Sequence, residues 1–197
     1  ATPVRICLYL FDGAEELDWA GPWEVLAAWA RQWPEDGVEV FTVARDDGAL
    51  TCAKGLRVLP DYAWVDAPTP DVLLVPGGVG VYELIEQEEA LAWVRSHHER
   101  DALVTSVCTG ALVLAAAGLL RGLPATTYWA RFDRLAEIDP TVEQRPGERF
   151  VDAGRVVTAA GVSAGIDMAL HLVARLHSVQ RARDVRRYIE YDPAPPV

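Results

Sequence analysis

Residues 102–120 read ALVTSVCTGALVLAAAGLL, and this run limits the possible folds more than any other part of the chain. Ala102 to Val107 reads as a buried strand. Thr109 to Leu120 is apolar nearly all round, which predicts a helix in the middle of the protein. The chain must therefore pass from strand to helix at a single residue, Cys108, and Gly110 lets that helix lie close to the strand. Strands buried on both faces and followed by helices belong to parallel sheets covered on both sides.

The rest of the sequence repeats that alternation. Val4 to Phe11 predicts a strand, with a short polar start at Ala1, and Asp12-Gly13 breaks it. Gly21-Pro22 predicts the start of a helix running to about Trp33. Val38 to Ala44 alternates as a strand, and Thr51 to Pro60 reads as a strand pair turned at Lys54-Gly55. Asp71 to Val75 is a short buried strand ended by Pro76-Gly77-Gly78, and Pro60 to Pro76 reads as the loop before it. Glu83 to Glu99 is predicted helical. Arg149 to Ala159 reads as two strands turned at Ala153-Gly154, followed by helices over Gly161 to His177 and Val179 to Tyr191. The tail DPAPPV is not helical. The expected class is α/β, with one domain over residues 1–197, because no internal repeat or linker interrupts the pattern.

Composition narrows the function. The formal net charge is -11, which repels nucleic-acid phosphate and anionic lipid, so neither partner is expected. No apolar run approaches the roughly 18 to 20 residues of a membrane span. The N-terminal segment lacks the basic start, long apolar centre and cleavage site of a secretory signal. Three cysteines, Cys7, Cys52 and Cys108, without close spacing, argue against disulfides and zinc and for a reducing cytoplasm. His, Cys, Asp and Glu do not cluster at ligand spacing, so no metal is expected.

Ligands of open α/β sheets bind beyond the carboxyl ends of the strands, and three such ends carry unusual chemistry. Cys108 sits at a sharp strand-to-helix turn, a nucleophile elbow, where a helix N-terminus favours a thiolate. The backbone N–H of Thr109 can meet developing negative charge there. The Pro76-Gly77-Gly78 turn offers further N–H groups. The segment Glu15-Glu16-Leu17-Asp18 offers three carboxyls beside an apolar wall of Leu17, Trp19, Ala20 and Trp23. A carboxyl there has a raised pKa and can both give and take a proton. Composition does not choose among the three acids. The glycines near Gly80 do not complete a dinucleotide fingerprint and do not follow the first strand. The four histidines, His97, His98, His171 and His177, lie away from predicted strand ends, so no Cys–His pair is visible. His97-His98 reads as surface, Arg175 to Arg187 as a solvated helix face, and the helical tryptophans as core or interface.

The DGAEELD segment, the LLVPGG turn and the elbow within TSVCTGALVLAAAGLL resemble the ThiJ/PfpI superfamily, relatives of class I glutamine amidotransferases. LDWAGPWEVL, SVCTGALVLAAAGLLRGLPATTYW, GRVVTAAGVSAGIDMAL and IEYDPAPP resemble its isonitrile hydratase branch. The resemblance covers nearly the whole chain. It implies a flavodoxin-like three-layer α/β/α sandwich with a mostly parallel central sheet, and a homodimer. It implies Cys108 as nucleophile, Asp18 as general acid/base, Thr109 as a positioning residue, and Gly78 with the Thr109 N–H as oxyanion donors. Gly77, Tyr128 and Trp129 would line the substrate pocket. The implied reaction is cofactor-free hydration of a small electrophile, an isonitrile, to an N-substituted formamide. In it the Cys108 thiolate attacks carbon, and Asp18 first protonates the adduct and then activates water. Protease-like members carry His where this chain has Thr109, which speaks against peptidase activity. Glyoxalase-like members carry Glu where this chain has Asp18. Related domains head AraC-type regulators that continue into a helix-turn-helix region, and no such module is expected in these 197 residues. Two alternatives stand beside hydration: glyoxalase- or deglycase-like chemistry on 2-oxoaldehydes, and a non-enzymatic redox or metabolite-sensing role for Cys108.

Overall fold

A computed structural model of the chain describes residues 2–197; Ala1, the first residue of the expected N-terminal strand segment, lies outside the described residues. In chain order the first half comprises β1 (Val4–Tyr9), α1 (Glu16–Gln32), β2 (Val38–Ala44), β3 (Leu50–Thr51), β4 (Arg57–Val58), β5 (Tyr62–Ala63), β6 (Val72–Val75), α2 (Val81–Leu84) and α3 (Glu88–Glu99). The second half comprises β7 (Leu103–Val107), α4 (Gly110–Ala116), β8 (Pro124–Ala125), α5 (Phe132–Ile138), β9 (Glu143–Gln144), β10 (Phe150–Asp152), β11 (Val156–Ala159), α6 (Ala164–Leu176) and α7 (Val179–Tyr188).

The main sheet has seven strands in the order β10-β11-β7-β6-β1-β2-β5. Every pair is parallel except β10 with β11. After β1 the chain moves outward to β2, then returns to the other side of β1 as β6. That reversal opens a crevice between the carboxyl ends of β1 and β6. Right-handed crossovers leaving in opposite directions place helices on opposite faces. Accordingly α1, α6 and α7 pack together as one layer and α2 to α5 as another. Central strands are buried throughout: β6 (VLLV) and β7 (LVTSV) expose no residue. The fold is the mostly parallel α/β sandwich that the alternation predicts.

Several local expectations change. Helix α1 begins at Glu16, not at Gly21-Pro22, and contains Pro22 in its interior. Proline favours a first turn, but here the missing N–H removes only one intrahelical bond, and Pro22 is buried on α6 beside Gly165. Asp18 thereby lies in the first turn of a helix instead of in an acidic loop. The helix expected over Glu83 to Glu99 is two helices, broken between Leu84 and Glu88. The loop from Pro60 contributes an edge strand, β5, paired with β2. His97, expected at the surface, is 7% exposed. Within the basic stretch Arg181 is not solvated but grips the buried Asp36 carboxylate, with Nε to Oδ2 at 2.6 Å. Trp19 and Trp29 of α1 are buried inside the chain, and the Trp29 indole also donates to Asp36 Oδ2, at 2.8 Å.

The close approach of α4 to β6 depends on Gly110. A Cβ at that position would run into the Val75 carbonyl oxygen well inside contact distance. Gly110→Ala is expected to destabilise the fold by about 1–3 kcal/mol through overpacking. The check is a lower urea midpoint with an unchanged denaturant slope.

Candidate active site

Three strand ends and one helix end converge at the crevice. Cys108, just after β7, has φ 58°, a left-handed conformation that costs a non-glycine residue energy. Its N–H donates to the carbonyls of Ala160 (3.0 Å) and Ala159 (3.2 Å) at the end of β11. Its own carbonyl accepts from Thr127 Oγ1 at 2.9 Å. These bonds hold the strained turn from both sides. The Cys108 side chain is 6% exposed.

Asp18 comes from α1 and is completely buried. Its Oδ2 accepts the Gly77 N–H at 2.9 Å. Its Oδ1 meets no donor in hydrogen-bond geometry; the Cys108 thiol stands near the carboxyl, close enough for each group to shift the other's pKa. Burial pushes the Asp18 carboxyl up to about 7, against the Gly77 N–H, which favours the ionised form. Burial pushes the Cys108 thiol up to about 12, and the neighbouring Asp18 charge adds to that rise. The backbone N–H groups of Thr109 and Val162, both directed at the sulfur, act the other way.

Burial works against the thiolate that the helix N-terminus favours. A helix N-terminus lowers a thiol's pKa only where solvent or charge supports the anion. Here α4 is short and the site is dry and acidic, so desolvation wins. Burial therefore favours the neutral form of both groups.

The glycine turn has two distinct tasks. A side chain at Gly77 would meet the Thr109 nitrogen and Oγ1 at 2.5 Å and Asp18 Oδ2 at 3.0 Å. Only glycine lets that N–H reach the carboxylate. Gly78 has φ 119°, and its N–H donates to Thr109 Oγ1 at 3.0 Å. The donor expected to stand free for an oxyanion is thus engaged inside the protein. Thr109, 6% exposed, joins the glycine turn to the elbow.

The expected pocket residues divide. Tyr128 lies against Gly161, where an added Cβ would meet its ring at 2.5 Å. Trp129 is 77% exposed, with its ring 5.7 Å from that of Tyr128. Sequence reasoning missed two residues. Val162 has φ 40°, an outlier for a β-branched side chain, and the strained loop turns its N–H towards the sulfur. The dipeptide Gly161-Val162 carries no signal of this without the fold. Thr127, which braces the elbow, lies in the quoted segment PATTYW but stood out only as its neighbour. Among the described residues no group of three or more His, Cys, Asp or Glu side chains is arranged to hold a metal ion.

Comparison with known proteins identifies the family. The model described as the DJ-1/PfpI family matches residues 4–175. An isonitrile hydratase of Pseudomonas putida is 43% identical over 194 residues, covering 98% of this chain and 81% of that protein. The HTH-type transcriptional regulator GbdR of Pseudomonas aeruginosa is 28% identical over 151 residues, 77% of this chain but only 41% of the regulator. Among solved structures, a ThiJ/PfpI family protein from Pseudomonas syringae superposes with TM-score 0.88 at 32% identity, covering 99% of this chain and 78% of that one.

The raised Asp18 pKa has a stability consequence. The folded state holds the Asp18 proton from the ordinary value of 3.8 up to about 7, while the unfolded chain releases it. Stability from this group is therefore present at low pH and is lost as pH rises from about 4 through about 7. Asp18→Asn is expected to remove that component. Urea unfolding at about pH 5 and about pH 8 checks it, the variant's gain in stability over the wild type being larger at the higher pH.

Proposed function

The chain belongs to the DJ-1/PfpI family, and on that premise we propose that it is an enzyme adding water to an isonitrile to give an N-substituted formamide. One observation carries the reading: a fully buried carboxyl, held by the Gly77 N–H and pushed up in pKa by burial, stands beside a buried thiol. No histidine takes part there: His171 is bonded to Asp152, His177 to Asp36, and His97 and His98 sit at the far end of α3. Hydration of R–N≡C needs one nucleophile and one proton carrier that works in both directions, which is what this pair supplies.

The ionised Asp18 takes the thiol proton as Sγ attacks the terminal carbon, and hands that proton to the same carbon. A C–S bond has formed and the enzyme holds R–N=CH–S–Cys108. Asp18, ionised again, draws a proton from water. The hydroxide adds to the carbon, and the proton goes to nitrogen, giving R–NH–CH(OH)–S–Cys108. The C–S bond then breaks, the hydroxyl proton returns through Asp18 to sulfur, and R–NH–CHO leaves. The N–H groups of Thr109 and Val162 offset the charge that sulfur carries in the first and last steps. Tyr128 and Trp129 form the side against which R rests. The same reading takes the enzyme to be cofactor-free and a homodimer, and to work in a reducing cytoplasm, consistent with its three unpaired cysteines.

The test is loss of an aryl isonitrile with matching gain of formamide. Asp18→Asn is expected to lower turnover roughly 10²- to 10⁴-fold, and Cys108→Ala to remove it. Undiminished turnover in Cys108→Ala would end the mechanism, and lactate formation from methylglyoxal with no isonitrile turnover would favour the 2-oxoaldehyde alternative. Because the working form carries one proton on the pair, kcat/KM should fall about tenfold per pH unit below about pH 7. A profile flat from about pH 5 to about pH 8 would remove Asp18 as the carrier.

A further inference from the structure

The segment 127–131 touches the protein at three places around Cys108. Thr127 Oγ1 donates to the Cys108 carbonyl at 2.9 Å. The Tyr128 ring lies against Gly161, which follows β11 on one side of β7. Arg131 Nε donates to the Tyr82 hydroxyl at 2.7 Å. Tyr82 belongs to α2, which follows β6 on the other side of β7. The segment is therefore a strap that passes across the elbow from its β11 side to its β6 side. Its backbone turns on itself, the Arg131 N–H donating to the Tyr128 carbonyl at 2.9 Å. Trp129 stands on the outside of that turn, largely exposed.

The anchors of this strap differ in strength. Thr127 is buried, 1% exposed, and a buried hydrogen bond is costly to break because its partner is left without water. Just past the strap, the Phe132 carbonyl at the start of α5 accepts from Gln144 Nε2 at 2.7 Å. Between these fixed points the Arg131–Tyr82 bond is, among the described residues, the one side-chain hydrogen bond that ties the strap to α2. Tyr82 is 37% exposed and Arg131 is exposed, so water replaces that bond at little cost when it opens. Local opening is drawn from such solvated contacts. Beneath the strap Cys108 is itself buried, so a small displacement of the strap changes which molecules reach the sulfur.

We propose that the Arg131–Tyr82 bond is a latch that selects molecules by size: closed, it confines the approach to Cys108 to slender ones, and open, it admits bulkier ones. Both side chains are positioning residues. They act through the strap and do not touch the reacting atoms. The proposal rests on the isonitrile reading only in taking the selected group to be the substituent R; the latch governs access to the thiol whatever the reaction.

Two probes of one chemistry, maleimide and N-phenylmaleimide, test the latch on the full chain. Both are uncharged, so loss of the Arg131 charge acts on neither directly. Their rates of addition to Cys108 are read by peptide mass, which separates that thiol from Cys7 and Cys52. Tyr82→Phe deletes the acceptor oxygen and keeps the ring; Arg131→Met deletes the donor and keeps an unbranched chain. Each is expected to raise the ratio of the N-phenylmaleimide rate to the maleimide rate about 2- to 10-fold, the factor by which losing one such hydrogen bond shifts an opening equilibrium. The double variant should change the ratio no more than either single one, because all three break the same bond. A strap with a merely structural role would raise both rates together and leave the ratio where it was. In turnover, the same variants should raise kcat/KM for 2,6-dimethylphenyl isonitrile relative to methyl isonitrile by a similar factor. A maleimide ratio unchanged in both single variants, or a double variant whose change is the product of the two singles, would overturn the proposal. Absence of isonitrile turnover in the wild type would end the hydration reading and leave the maleimide ratio to decide the latch.

Discussion

The site rests on the placing of one carboxyl and one thiol side by side where water does not reach. Burial raises the pKa of both groups; the Asp18 charge raises that of the thiol further, while the Gly77 N–H and the thiol itself favour the carboxylate. The Gly77 N–H is the counterweight. It supports a carboxylate at Asp18 against the burial of that group.

The surrounding backbone exists to maintain that balance. Cys108 is held with positive φ by bonds from its N–H to the end of β11 and to its carbonyl from Thr127. Gly77 and Gly78 let the turn after β6 press against Thr109 and the start of α1. Val162 is itself strained and turns a further N–H to the sulfur. Strain of this kind survives only where several elements over-determine the geometry. Here β6, β7, β11 and the first turn of α1 all meet at the mouth of one crevice, which the reversal of strand order opens.

The elbow was legible because its signal is local. A strand, one nucleophile, a small residue and an apolar helix follow one another without a gap, so sequence order is also spatial order. The parallel sheet was legible for the same reason. Asp18 was not separable from Glu15 and Glu16 by composition. What distinguishes it is helical phase: α1 starts early enough to point residue 18 inward, while Glu15 pairs with Lys54 and Glu16 accepts from the Lys54 and Leu56 backbone. Pro22 hid that start, because a proline reads as a helix beginning when considered alone. His97 misled in the same way: an acidic helix end suggests solvent, and only the packing of Trp64 and Trp93 encloses it.

The amino-acid order thus settled the layered architecture, the strand end that carries the sulfur and the absence of a histidine partner, since each depends on neighbours along the chain. The fold decided which acid faces the sulfur, that burial opposes charge on both groups, that the Gly78 N–H is already engaged and that the Val162 N–H lies by the sulfur. Those outcomes depend on distances between residues far apart in sequence and on the exclusion of water. Desolvation is a property of the assembled interior, and no single segment carries it.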